Sequence, residues 1–217
     1  HYCFFILQRY RVDLYFYLFK QLPYLHGSCY CMSIMTIEHQ IHRYLDTLKA
    51  YNLHTNVYST HAYDRLDFHV QDCLTLADLI GNDPVRVLDI GSGSGFPAVI
   101  IAIKNPKNRV RAVESKSRKT TFLEQVKTSL RLTNLEIIQA NIVEYARTKP
   151  AKAEIVTAKA FGSLEKVVHV SKPLRKPKSV IWIPISQAQA SALDMAHACV
   201  VKRDAFYFAQ WRATADT

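Results

Sequence analysis

The stretch Val87-Leu88-Asp89-Ile90-Gly91-Ser92-Gly93-Ser94-Gly95-Phe96-Pro97 holds the residues best placed to do chemistry. An apolar run ends in an acid, Asp89, and three alternating glycines then feed toward a helix. Such glycines let the backbone approach a ligand at distances that side chains would forbid. The spacing is neither the G-x-G-x-x-G of dinucleotide sites nor the G-x-x-x-x-G-K-[ST] of phosphate loops. The next apolar run, Arg109–Val113, ends at a second acid, Glu114. At the end of the second strand of a doubly wound sheet, a carboxylate stands beside the first glycine turn. There it can accept hydrogen bonds from both hydroxyls of a ribose. Basic residues crowd Lys104–Arg131, and Lys172, Arg175, Lys176 and Lys178 form a second group. Both groups suit phosphate contact, and a solvated helix face is the alternative reading.

Regular elements must hold these residues in place. Val85–Ile90 reads as a buried strand, Phe96–Ile103 as a helix and Arg109–Val113 as a strand. Ser117–Arg131 sets Phe122, Leu123, Val126 and Leu130 on one helical face. Leu135–Ile138, Ile155–Ala158 and Val180–Ile183 read as further strands, with Asn141–Ala146 and Ser163–Val170 as helices between them. An Ala-rich helix is expected over Ser186–Ala198, and an extended tail after it. Upstream, Thr36 is the N-cap of a helix carrying Ile37, Ile41, Leu45, Leu48 and Tyr51. Val70, Cys73, Leu74, Ala77 and Ile80 form a second stripe that stops at Gly81. Strands alternating with helices mean a parallel sheet covered on both faces.

The 217 residues are 49% hydrophobic and 21% charged, which supports a sizeable core and excludes wholesale disorder. Lys and Arg outnumber Asp and Glu by 28 to 18, and the net charge of +10 favours an anionic partner. Five cysteines without paired spacing support neither a disulfide framework nor a zinc site, and no metal is expected. Reduced thiols fit a cytoplasmic protein best. The aromatic-rich residues 1–34 are broken by Arg9, Arg11, Asp13 and Lys20. They hold no run of the roughly 18 apolar residues that a membrane span requires.

The D-x-G-x-G-x-G form resembles the first motif of the class I S-adenosylmethionine-dependent methyltransferases. Over about Ile41–Phe161 the chain resembles, more narrowly, the glucose-inhibited division protein B family. These are the bacterial guanine-N7 methyltransferases of small-subunit ribosomal RNA. The family's first motif ends in [LF]-P, as do Phe96-Pro97 here. Its H-x-x-D-S-L matches His69-Val70-Gln71-Asp72-Cys73-Leu74, and its W-N-x-x-x-N-L-T is met loosely by Tyr51–Tyr58. Glu114–Leu123 matches [DE]-S-x-x-K-[RK]-x-x-F-L, and Ala158–Leu164 matches S-R-A-F-x-S-L. The chain departs at Lys159, where the family has Arg, and at Asn141–Glu144, where an arginine and an acid are lost. Its tail shows no long closing strand.

The resemblance implies a Rossmann-like doubly wound α/β fold that binds S-adenosylmethionine. Residues 35–83 would form a helical cap, residues 84–217 the methyltransferase domain, and residues 1–34 an extension outside the fold, with starts at Met32 or Met35. Asp89, Gly91, Gly93, Gly95 and Phe96 would form the cofactor loop, with Glu114 on the ribose and Ile142 and Val143 flanking the adenine. Lys159 would stand at the pocket rim near the transferred methyl or the RNA. Lys116, Arg118 and Lys119 would meet RNA phosphates. His69 and Asp72, one turn apart, would shape the pocket floor or form a structural pair. Guanine N7 has no proton to remove, so no catalytic acid or base is assigned. Neither the [DNS]-P-P-[YFW] of amine methylation nor a Pro-Cys nucleophile loop is present. The implied partner is the small ribosomal subunit, met by a monomer. Two alternatives remain at this level: an RNA-binding protein with a decayed cofactor site, and an enzyme of this fold acting on tRNA, protein or a small molecule.

Overall fold

The computed structural model describes residues 35–194 and 196–213. The extension expected over 1–34 and the last four residues lie outside the described residues. Helix α1 (Ile37–Asn52) starts at Thr36, whose hydroxyl accepts the His39 N–H at 3.2 Å. Ile41, Tyr44, Leu45 and Leu48 recur at helical spacing and are buried. A 3-10 turn (Thr60–Arg65) leads into α2 (Leu66–Ile80), which buries Val70, Cys73, Leu76 and Ala77 together with one charge, Asp72.

Strand β1 (Arg86–Ile90) is followed by α3 (Ala98–Lys104), β2 (Arg109–Glu114), α4 (Ser117–Leu130) and β3 (Leu135–Gln139). Then come α5 (Ile142–Arg147), β4 (Ala153–Ala158), α6 (Leu164–Ser171) and β5 (Arg175–Ile185). The chain closes with α7 (Gln187–Ser191), β6 (Ala198–Arg203) and β7 (Phe206–Arg212). The sheet order is β3-β2-β1-β4-β5-β7-β6. Alternation along β1 divides the core: Val87 joins the layer of α1 to α4, while Leu88 and Ile90 join that of α5 and α6. Ala98–Ile103 of α3 are all buried, so this helix is apolar all round and fills the space between sheet and cap helices.

Three expectations need correction. The sheet is mixed, because β7 pairs antiparallel with both β5 and β6. The Ala-rich helix is only Gln187–Ser191, started by a Ser186–Gln189 capping box. The tail is a hairpin that includes the closing strand, since Phe206–Arg212 inserts between β5 and β6. Alanine favours helix by propensity alone. The β-branched Val200-Val201 and the aromatic run at Phe206–Phe208 gain more by packing on a pleated surface. Phe208, Ala209 and Trp211 are accordingly buried.

Candidate active site

Register builds the site. Ile90 stands opposite Val113 of β2 and Ala158 of β4, so Gly91, Glu114 and Lys159 leave three adjacent strands at one level. The turn after β1 runs through Gly91, Gly93 and Gly95 with φ of +70°, +56° and +103°, a region that L side chains rarely adopt. A Cβ at Gly91 would lie 2.6 Å from the Phe161 ring, and one at Gly95 would lie 2.6 Å from Val99. A Cβ at Gly93 would make ordinary contact with Lys119 Nζ at 3.6 Å and Gly91 O at 3.7 Å. The Gly91 and Ser92 amides donate to Val113 O at 2.8 and 3.2 Å, and the Tyr44 hydroxyl donates to Ser94 O at 2.7 Å. The turn is thus pinned to β2 on one side and to α1 on the other.

Glu114 is buried at the end of β2. Its Oε2 accepts the Gly93 N–H and its Oε1 the Lys116 N–H, both at 2.9 Å. Asp89 lies beneath the turn with no exposure, and the Thr157 hydroxyl donates to its Oδ1 at 2.8 Å. Its Oδ2 has no partner among the described residues. Burial pushes the Asp89 carboxyl up to about 7, with the Ser92 and Thr157 hydroxyls holding it partly down. Phe96 is buried against Tyr44, with ring centroids 5.3 Å apart, and borders Tyr58 and His69. Desolvation, reinforced by the charges of Lys159 and Arg65, lowers His69 to about 4, so the imidazole is neutral at neutral pH.

Lys159 forms an ion pair with Asp72 of α2, joining the exit of β4 to the cap helices. Burial raises the Asp72 carboxyl, and the Lys159 ammonium opposes that shift. Ile142 is buried, whereas Val143 is 52% exposed and its N–H donates to the Asn141 side chain, which caps α5. Lys116 and Arg118 are exposed at the start of α4, and Lys119 turns toward Gly93. Sequence reasoning missed Phe161 over Gly91, although it lies in a matched motif, because a ring's approach to a distant glycine leaves no local pattern. It also missed Arg65, Phe68, Phe206 and Tyr207, which line a cavity of about 360 Å³ with Asp72 and Lys159.

The fold is that of the class I S-adenosylmethionine-dependent methyltransferases. The chain belongs to the rRNA small subunit methyltransferase G family, whose model matches residues 37–204. It is 28% identical over 171 residues to the ribosomal RNA small subunit methyltransferase G of Fusobacterium nucleatum, covering 76% of this chain and 74% of that one. The protein of the same name from Psychrobacter cryohalolentis is 38% identical over 134 residues, covering 60% of this chain and 52% of the relative. The chain therefore spans between half and three quarters of these curated relatives. Among solved structures, a Geobacter sulfurreducens methyltransferase aligns with a TM-score of 0.56 at 11% identity, covering 94% of this chain and 96% of its own. A SAM dependent methyltransferase from Aquifex aeolicus aligns at 0.51 with 16% identity, covering 77% and 97%. Among the described residues no helix is long and apolar enough to cross a membrane.

Proposed function

We propose that this chain transfers a methyl group from S-adenosylmethionine to N7 of a guanine in small-subunit ribosomal RNA, as a cytoplasmic monomer. The observation that carries the reading is the register bringing the Gly91–Gly95 turn beside Glu114, in a chain of this family. The cradle fits the cofactor. A Cβ at Gly93 would meet Lys119 Nζ only at contact distance, 3.6 Å, and the Glu114 carboxylate, with four acceptor positions, can take a ribose hydroxyl besides the two amides and the Ser115 hydroxyl it already holds. Gly91 and Phe161 would border the methionine end, Ile142 and Val143 the adenine, and Phe96 would support the turn from below. Asp89 would act through the turn, as its carboxylate is wholly buried.

The bound cofactor supplies an electrophilic methyl on a sulfonium. The protein's task is alignment, since the N7 lone pair carries no proton and no base is needed. Orientation alone supplies on the order of 7–11 kcal/mol in well-aligned systems. Lys159 would stand at the pocket rim beside the reacting base, and Lys116, Arg118 and Lys119 would hold phosphates without reading sequence.

Purified protein with labelled S-adenosylmethionine is expected to methylate small-subunit particles from a strain lacking this modification. The product is 7-methylguanine, recognised by chain cleavage with borohydride and aniline. Transfer should fall steeply from low to moderate salt as phosphate contacts weaken. Label confined to tRNA, to protein or to another base would overturn the substrate while leaving the fold intact.

A further inference from the structure

The cavity of about 360 Å³ between α2, the ends of β4 and β5 and the β6–β7 turn shares Asp72 and Lys159 with the site described above and adds Arg65, Phe68, Phe206 and Tyr207 to it. It opens next to that site, because Lys159 follows Ala158, the register partner of Ile90. Phe68 is 43% exposed there, with the Arg65 guanidinium 5.2 Å from its ring centre and the Phe206 ring also at 5.2 Å. Deeper in, the Asp72 and Lys159 side chains are paired and only 7% and 17% exposed. An exposed aromatic at the mouth of a concave site, with a guanidinium beside it, suits a base that has left its stack.

We propose that this cavity receives the target guanine, its Watson–Crick edge on the Lys159–Asp72 pair; this rests on the guanine reading above. Along that edge guanine presents an acceptor, O6, followed by two donors, N1–H and the N2 amino group. The ion pair presents an ammonium donor followed by a two-oxygen acceptor, the matching order. Adenine reverses the first two positions: its amino group would face the ammonium and its N1 lone pair the carboxylate. A buried charged pair left facing the wrong groups rejects the base, since neither ion regains water. N7 lies on the other edge of the ring, so this docking leaves it uncovered for methyl transfer. Arg65, at the mouth, is placed to meet the phosphate of the flipped nucleotide.

The test uses GMP, IMP and AMP as probes on the full chain with S-adenosylhomocysteine present, binding being followed by saturation-transfer NMR. GMP should bind more tightly than AMP, by on the order of tenfold or more, as expected for one well-made bidentate contact. IMP, which lacks the N2 amino group, should fall between them. Asp72→Asn should abolish the order while leaving S-adenosylhomocysteine binding in place, and Phe68→Ala should weaken all three nucleotides alike. Should Asp72→Asn not fold, the order of the three nucleotides on the unaltered protein decides. Equal binding of GMP and AMP overturns the proposal. Methyl transfer to small-subunit RNA, measured on the same protein, separates the two readings. GMP preference without methylation keeps this pocket and removes the guanine-N7 activity; methylation without GMP preference does the reverse.

Discussion

Glu114 accepts from the backbone amides of Gly93 and Lys116, so its carboxylate orders the turn as well as offering acceptors to a ribose. Glu114→Ala should therefore weaken S-adenosylhomocysteine binding by roughly 1–3 kcal/mol in calorimetry. Gly93→Val should abolish binding, because a β-branched side chain is strained at a φ of +56° and would crowd Lys119 beside the turn. Unchanged affinity in both variants would refute this placement of the cofactor. Lys159 is tied to a buried carboxylate, so the variants separate charge from shape. Lys159→Ala leaves Asp72 buried and unpaired, which costs about 3–5 kcal/mol in systems of this kind. Lys159→Arg, which keeps the charge, should retain most of the stability and methyl transfer. Urea unfolding of the two variants checks this, and equal midpoints would place Asp72 in water rather than under the ammonium.

Among the elements, the C-terminal hairpin is the one whose contribution the helical pattern upstream concealed. Strand β7 lies inside the sheet, and Phe208 meets Leu76 of α2 and Trp182 of β5 with no exposure. The hairpin thus fastens the cap helix carrying Asp72 to the sheet edge that carries Phe206 and Tyr207. Phe208→Ala should cost about 3–5 kcal/mol, the usual penalty for emptying such a site. A loss below about 1 kcal/mol, measured by chemical denaturation, would mean that the hairpin is peripheral to the fold. Helix α4 joins packing to charge: Phe122, Leu123, Val126 and Leu130 anchor it, while its first turn holds Lys119 beside the glycine turn.

For the molecule as a whole, half-buried His69 and fully buried Asp89 pull stability in opposite directions with pH. His69 is held near 4, below its ordinary 6.5, so the unfolded chain takes up more protons between those values. Its contribution is present above about 6.5 and is lost as pH falls toward 4. Asp89 is held near 7, above its ordinary 3.8, so the folded chain keeps its proton longer. That contribution is present below about 4 and is lost as pH rises to 7. The two offset each other between about pH 4 and 6.5. Asp89→Asn, which keeps the Thr157 hydrogen bond, removes one arm. The variant should lose stability on acidification from pH 6.5 to 4.5 more steeply than the unaltered protein. Parallel urea midpoints across that range would show that Asp89 stays ionised in the fold.

What the sequence determined was whatever depends on neighbours along the chain. Thr36 caps α1 because its hydroxyl reaches an amide three residues on, and the stripe Phe122–Leu130 is buried because helical spacing puts it on one face. The positions of Gly91 and Glu114 at the ends of consecutive strands were legible for the same reason, as was the helix after each of β1 to β4. Relations across the sheet needed the tertiary structure. The pairing of Lys159 with Asp72, the approach of Phe161 to Gly91 and the cavity joining Phe68 to Phe206 each link segments far apart in sequence, and no local periodicity encodes them. The hairpin belongs with these. Its residues favour strand only once β5 offers an edge to pair with, and until then the alanines before them read as helix.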